Sequence, residues 1–112
     1  MRRRFEDMHG LDVLAAVQFA LTRVREAYEN GYDEIEFQHG AADVHEQVTD
    51  GRGRIKWALR GLLDEGRLDR WCRRADSWPR SSSLVIALKR NSRPRRETWS
   101  PAPRRAHRPP QC

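Results

Sequence analysis

Asp7 and His9 stand two residues apart, and His39, like His9, is followed by a glycine, Gly40 after the first Gly10. Histidine titrates near neutral pH and serves as base or acid, and a neighbouring aspartate orients it or balances its charge. Further along, Gly51-Arg52-Gly53-Arg54 leads into an amphipathic stretch that carries Lys56 and Arg60. Glycines let another backbone approach closely, and the free N–H groups that open a helix suit an anion. Cations are disfavoured at that end by the helix dipole, so a basic first turn is understood if a phosphate sits beside it. These residue types suit proton transfer beside a bound phosphate. Asp7, His9 and His39 are the candidates for that chemistry, and Gly10, Gly40, Gly51, Arg52, Gly53, Arg54, Lys56 and Arg60 for holding the phosphate backbone.

The elements that must position these groups follow from the patterning. Arg4–His9 reads as a short strand whose pleat puts Asp7 and His9 on one face. Asp12 is a good N-cap, and Leu14, Val17, Leu21, Val24 and Tyr28 mark one face of a helix over Val13–Glu29, stopped by Asn30-Gly31. Tyr32–Gln38 alternates, with Ile35 and Phe37 inward and Glu34 and Glu36 outward, as a half-buried strand does. Strand, helix and strand with short joints make a parallel βαβ unit, so both His-Gly pairs leave the same edge of the sheet.

After the polar loop Ala41–Asp50, Ile55, Leu59, Leu62 and Leu63 mark a second helix ending at Gly66. Asp43, His45 and Glu46 in that loop read as solvated rather than as metal ligands. Arg67–Arg74 reads as a third strand, Ala75–Ser83 as a loop containing Trp78-Pro79, and Leu84–Leu88 as a buried fourth strand pairing with the third. The order βαβαββ predicts an α/β (α+β two-layer) domain, a mixed four-stranded sheet with two helices on one face.

Composition sets the partner class. The 112 residues carry a formal charge of +6, almost all of the positive charge is arginine, and the pI is near 10.3. An excess of that sign predicts an anionic partner, nucleic acid first. From Asn91 to Cys112 arginine alternates with proline and aliphatic residues almost vanish, so residues 91–112 are expected to form a disordered basic arm behind a 1–90 domain. Cys72 and Cys112 imply no disulfide framework. No apolar run reaches signal-peptide or membrane-spanning length, and the expected location is cytoplasmic. Zinc-site spacing, a Walker loop and a serine-nucleophile elbow are absent from the sequence.

In order and spacing, Asp7-Met8-His9-Gly10, His39-Gly40 and Gly51-Arg52-Gly53-Arg54-Ile55 resemble the Smr domain, the small MutS-related module, over roughly residues 3 to 90. The family pattern is Asp-Leu-His-Gly, then His-Gly-x-Gly with a further glycine leading into the second helix. Two features depart from it: Ala41–Asp50 separates His39-Gly40 from Gly51, and Ser81-Ser82-Ser83 replaces a glycine-rich turn before the last strand. The resemblance implies an endonuclease that cleaves or nicks RNA or structured DNA, with Asp7 and His9 functional and His39 in the second motif. The alternatives are a non-catalytic nucleic-acid-binding module or a protein–protein adaptor with a basic tail. RNA supplies its own 2′-hydroxyl nucleophile, so histidines could suffice. For DNA a water must attack, and a divalent cation such as magnesium would ease that step.

Overall fold

The computed structural model describes residues 1–44 and 53–104. Strand β1 (Arg3–Asp7) is followed by helix α1 (Val13–Glu29), strand β2 (Glu34–Gln38), helix α2 (Arg54–Asp64) and the short strands β3 (Trp78–Pro79) and β4 (Ser83–Ala87). The sheet order is β1-β2-β4-β3, with β1 and β2 parallel and the other pairs antiparallel. Met8, Ile35, Phe37, Leu84 and Ile86 are wholly buried with Val24 of α1 and Leu59 of α2, which places the core between the sheet and the helix layer. This is the mixed four-stranded α+β architecture that the element order predicts. No helix among the described residues is long and apolar enough to cross a membrane.

Three local expectations need correction. Arg67–Arg74 is not a strand. Its less polar residues Leu68, Trp71 and Cys72 are spaced by three and four, a helical rather than an alternating period. Trp71 N–H and Cys72 N–H both donate back to the Leu68 carbonyl, and only Cys72 makes an isolated bridge, to Leu88. The outer strand is instead Trp78–Pro79, where the sequence reads as a loop. Proline is tolerated there because β3 is an edge strand with a side that needs no N–H donor. The tight turn to β4 is closed by Arg80 N–H on the Ser83 carbonyl at 2.8 Å.

The buried face of α1 is rotated from the expected one. Leu14 is 68% exposed, whereas Arg23 and Glu26, which lie off the apolar stripe, are buried. Similarly, Glu34 and Glu36 of β2 are buried, because β2 is central and the long side chain of Arg3 lies over both carboxylates. Glu36 accepts further bonds from Arg3 at 3.1 Å and from the Ser83 hydroxyl at 2.7 Å.

Arg23 and Glu26 of α1 are covered by the C-terminal segment. Residues 91–104 have no strand or helix, as their composition predicts, yet they lie against the domain rather than forming a loose arm. Asn30 donates from Nδ2 to the Thr98 carbonyl at 2.8 Å, and Ser100 N–H donates to Glu26 at 2.8 Å. Trp99 packs on the core edge, with the Arg4 guanidinium 4.1 Å above its ring and Tyr32 meeting it edge-on at 5.3 Å. Beneath it Arg23 joins Glu26 at 2.7 Å and Glu6 at 3.0 Å. One tryptophan and a set of paired charges thus anchor a segment whose aliphatic content alone could not. The remainder of the expected arm, residues 105–112, lies outside the described residues.

Candidate functional site

Parallel pairing of β1 and β2 sets the site. Asp7 lies opposite Gln38, and Met8 N–H continues the ladder to the Gln38 carbonyl at 2.8 Å. His9 and His39 therefore leave the sheet at the same edge, each followed by a glycine in the left-handed region, Gly10 at φ 82° and Gly40 at φ 75°. A side chain is disfavoured at those angles. An added Cβ at Gly40 would meet no atom within 4 Å, so the space beside it is open to a ligand.

Asp7 and His9 stand exposed at this edge, and the Asp7 carboxylate accepts the His9 backbone N–H at 2.8 Å. The strand ends at Asp7, so His9 sits in the turn, its position set by this bond and not by the pleat. His39 is held differently. Its backbone N–H and that of Gly40 both donate to the Ser82 carbonyl, at 2.9 and 3.0 Å. Its ring Nδ1–H donates to the Gly40 carbonyl at 2.7 Å, which leaves the lone pair on Nε2. The ring is 8% exposed and Nε2 has no partner. Burial pushes its pKa below the usual 6.5, opposed by the backbone carbonyls of Gly40 and Ser83 and reinforced by the nearby charges of Lys56 and Arg60. At neutral pH His39 is an uncharged base.

The two helix N-termini at this edge differ. Asp12 caps α1, its carboxylate accepting Ala15 N–H at 2.8 Å, so an anion there would face a resident negative charge. Helix α2 starts at Gly53 in the left-handed region, with no side-chain cap and no acidic residue in its first turn. Its first N–H groups are the ones left for an anion. A cleft of about 380 Å³ opens between the helices, lined by Asp12, His39, Ala41, Gly53, Arg54 and Ile55. Ala41, with φ 56°, is the one non-glycine residue among those described with a left-handed backbone, and it borders this cleft.

The residues expected to hold phosphate fall into four groups. Arg54 and Gly53 line the cleft and Gly40 opens beside it; Arg60 faces away from it, over the ring of Trp57 at 4.9 Å. Gly51 and Arg52 lie outside the described residues, as do His45 and Glu46. Lys56 is a correction. It is 2% exposed, and its ammonium donates to the carbonyls of Val44 at 2.7 Å, Ser81 at 3.0 Å and Ala41 at 3.2 Å. All three of its N–H donors are engaged by backbone, so it shapes the loop rather than binding phosphate. The period of α2 places Lys56 between Ile55 and Leu59 at the buried side; its charge alone suggests the surface.

Sequence reading missed the part played by the Ser81–Ser83 turn, which through Ser82 carries the backbone of His39-Gly40. It also missed a concentration of unmet polar groups. Among the described residues, the buried side-chain nitrogens with no hydrogen-bond partner are His39 Nε2, Trp57 Nε1 and Arg60 Nε, all on or beside the first two turns of α2. Each such group costs about 1–3 kcal/mol. Native structures keep few of them, since water or a bound group supplies the partner. The described residues hold no group of three or more His, Cys, Asp or Glu side chains placed to bind a metal ion.

Comparison with protein-family models, with curated proteins and with solved structures returned no match. The likeness to the Smr domain rests on the order of the motifs.

Proposed function

We propose that this protein binds nucleic acid at the His-Gly edge, with a backbone phosphate at the uncapped N-terminus of α2, and cleaves it using His9 and Asp7. The observation that carries the binding part is the helix end itself, which has no side-chain cap and opens with Gly53 and Arg54 on a cleft, in a chain of net charge +6. An anion supplies what the helix end lacks, and Arg54 adds a charge that the fold does not otherwise use.

The exposed pair His9 and Asp7 then carries the proton transfers, one group taking the proton of the attacking oxygen and the other delivering one to the leaving oxygen. With RNA the attacking oxygen is the 2′-hydroxyl, and these two groups complete the reaction. His39 assists from behind, a neutral ring that fixes the Gly40 turn beside the phosphate. A second reading, a binding module without turnover, draws support from the enclosure of His39 Nε2, which leaves one exposed histidine at the edge.

The experiment is cleavage of labelled single-stranded RNA and of supercoiled DNA, with magnesium and with EDTA, by the full chain and by His9→Ala. Loss of cleavage in the variant, with binding retained, supports the nuclease. Binding that weakens steeply with salt but never leads to cleavage supports the second reading. Absence of binding to either polymer at low salt ends both.

A further inference from the structure

A second cleft, of about 360 Å³, lies on the other side of α2. Its walls are apolar: Leu63 from the helix, Pro79 from β3 and Leu84 from β4. The volume is at the small end of ligand-binding clefts, about 300–1,000 Å³. Three polar side chains line it as well, Trp57, Arg60 and Asp64, which recur at three- and four-residue spacing and so share one helix face.

Their bonding is incomplete in a complementary way. Arg60 makes one hydrogen bond, a long one of 3.4 Å from Nη2 to the Arg80 carbonyl, and its Nε has no partner. Trp57 Nε1 has none either. Asp64, four residues after Arg60, is exposed; its carboxylate accepts no hydrogen bond and forms no ion pair with Arg60 or any other described residue. A donor and an acceptor at i,i+4 that do not pair, beside an apolar cleft, suit a planar ligand with acceptors on one edge and donors on the adjoining edge.

Guanine is the nucleobase with that pair of adjoining edges. Its O6 and N7 accept from an arginine, and its N1–H and amino group donate to a carboxylate. We propose that this cleft is a guanine subsite, with Arg60 on O6 and N7, Asp64 on N1–H and the amino group, and the ring between Trp57 and Pro79. The inference rests on the nucleic-acid reading above and deepens it. Gly53, which lines the phosphate cleft, lies one helical turn from Trp57, with an added Cβ at 3.5 Å from the Trp57 Nε1. A phosphate at the helix end and the base attached to it can therefore reach the two clefts together.

The test is a titration followed by the indole N–H signals of the four tryptophans, with Trp57 assigned through Trp57→Phe. Guanosine monophosphate should move the Trp57 signal and bind about tenfold more tightly than adenosine monophosphate, the discrimination expected of one bidentate base contact. Asp64→Asn should remove that preference while leaving the other indole signals in place, since Asp64 is exposed. Inorganic phosphate, bound at the helix end beside Trp57 Nε1, should move that signal less than guanosine monophosphate does and equally in Asp64→Asn. Equal affinity for the two nucleotides, or a preference that survives in Asp64→Asn, overturns the guanine assignment. Octauridine, with and without one uridine replaced by guanosine, separates the two readings. Equal binding of both oligomers removes the subsite and leaves nucleic-acid binding standing. A Trp57 response to guanosine monophosphate with neither oligomer bound keeps the subsite and removes the nucleic-acid reading. No response to any of them overturns both.

Discussion

The Lys56 ammonium lies 2.7 Å from the Val44 carbonyl oxygen and, through its other protons, ties Ala41 and Ser81 to the same point. One buried charge thus joins the loop after His39-Gly40 to the turn before β4. Lys56→Met keeps the volume and removes the donor from three carbonyls. It should lower stability by about 2–4 kcal/mol, since bonds to a charged group contribute about 1.5–3 kcal/mol each and water can recover only some of the carbonyls. Urea denaturation measures this, and a loss below half a unit of that scale would mean that the carbonyls do not depend on the ammonium.

His39 sets a pH dependence whose sign follows from its lowered pKa. The unfolded chain takes up a proton as pH falls through 6.5, which the folded ring refuses until lower pH. The stability this residue contributes is complete above pH 6.5 and is lost as pH falls from there towards the folded pKa. The protein should therefore lose stability between pH 7 and pH 5, and His39→Gln should show a shallower slope over the same interval. Parallel slopes for the two proteins would refute the assignment of a neutral, buried ring.

The docked C-terminal segment contributes to the fold. Trp99→Ala removes the ring that packs beneath Arg4 and beside Tyr32, and should cost about 2 kcal/mol, less than the 3–5 kcal/mol of a fully enclosed aromatic. Ending the chain after Arg90 should cost at least as much, because Glu26 then also loses the Ser100 bonds. Thermal melting decides the matter: an unchanged midpoint for the truncated chain would show that the segment is carried passively.

Gly40 and Gly53 both have positive φ, but their surroundings differ. Alanine at either position carries left-handed strain of about 1–2 kcal/mol. At Gly53 the new methyl also meets Val44 Cγ1 at 3.1 Å, so Gly53→Ala should be the more destabilising of the two. At Gly40 it projects into open space beside the cleft, and Gly40→Ala should weaken RNA binding more than its modest stability loss accounts for. Melting and filter binding on both variants measure the contrast.

Arg54, exposed at the head of α2, should contribute one phosphate contact. In Arg54→Ala the slope of log affinity against log salt should fall by about 1, with all sequences weakened alike. A variant that keeps the full slope would place the phosphate elsewhere.

The sequence alone determined the order of the main elements, the parallel β1–α1–β2 unit and the glycines that end both parallel strands. It did so because those features are local. Asp12 caps its own helix, Asn30-Gly31 stops it, Ile35 and Phe37 alternate within one strand, and a positive φ at Gly40 is a property of one residue. What tertiary structure decided depends on neighbours distant in the chain. Trp99 and Ser100 cover Arg23 and Glu26 of α1, which are buried, whereas Leu14 is exposed. Arg3 covered the outward carboxylates of β2, and an edge position made a strand of Trp78-Pro79. Lys56 and Arg60 are alike in sequence, two cations four residues apart on one helix. Three carbonyls brought in from Ala41, Val44 and Ser81 enclosed the first, and no carboxylate among the described residues came to the second. Charge is written in the residue, but whether the fold neutralises it is settled by what packs against it.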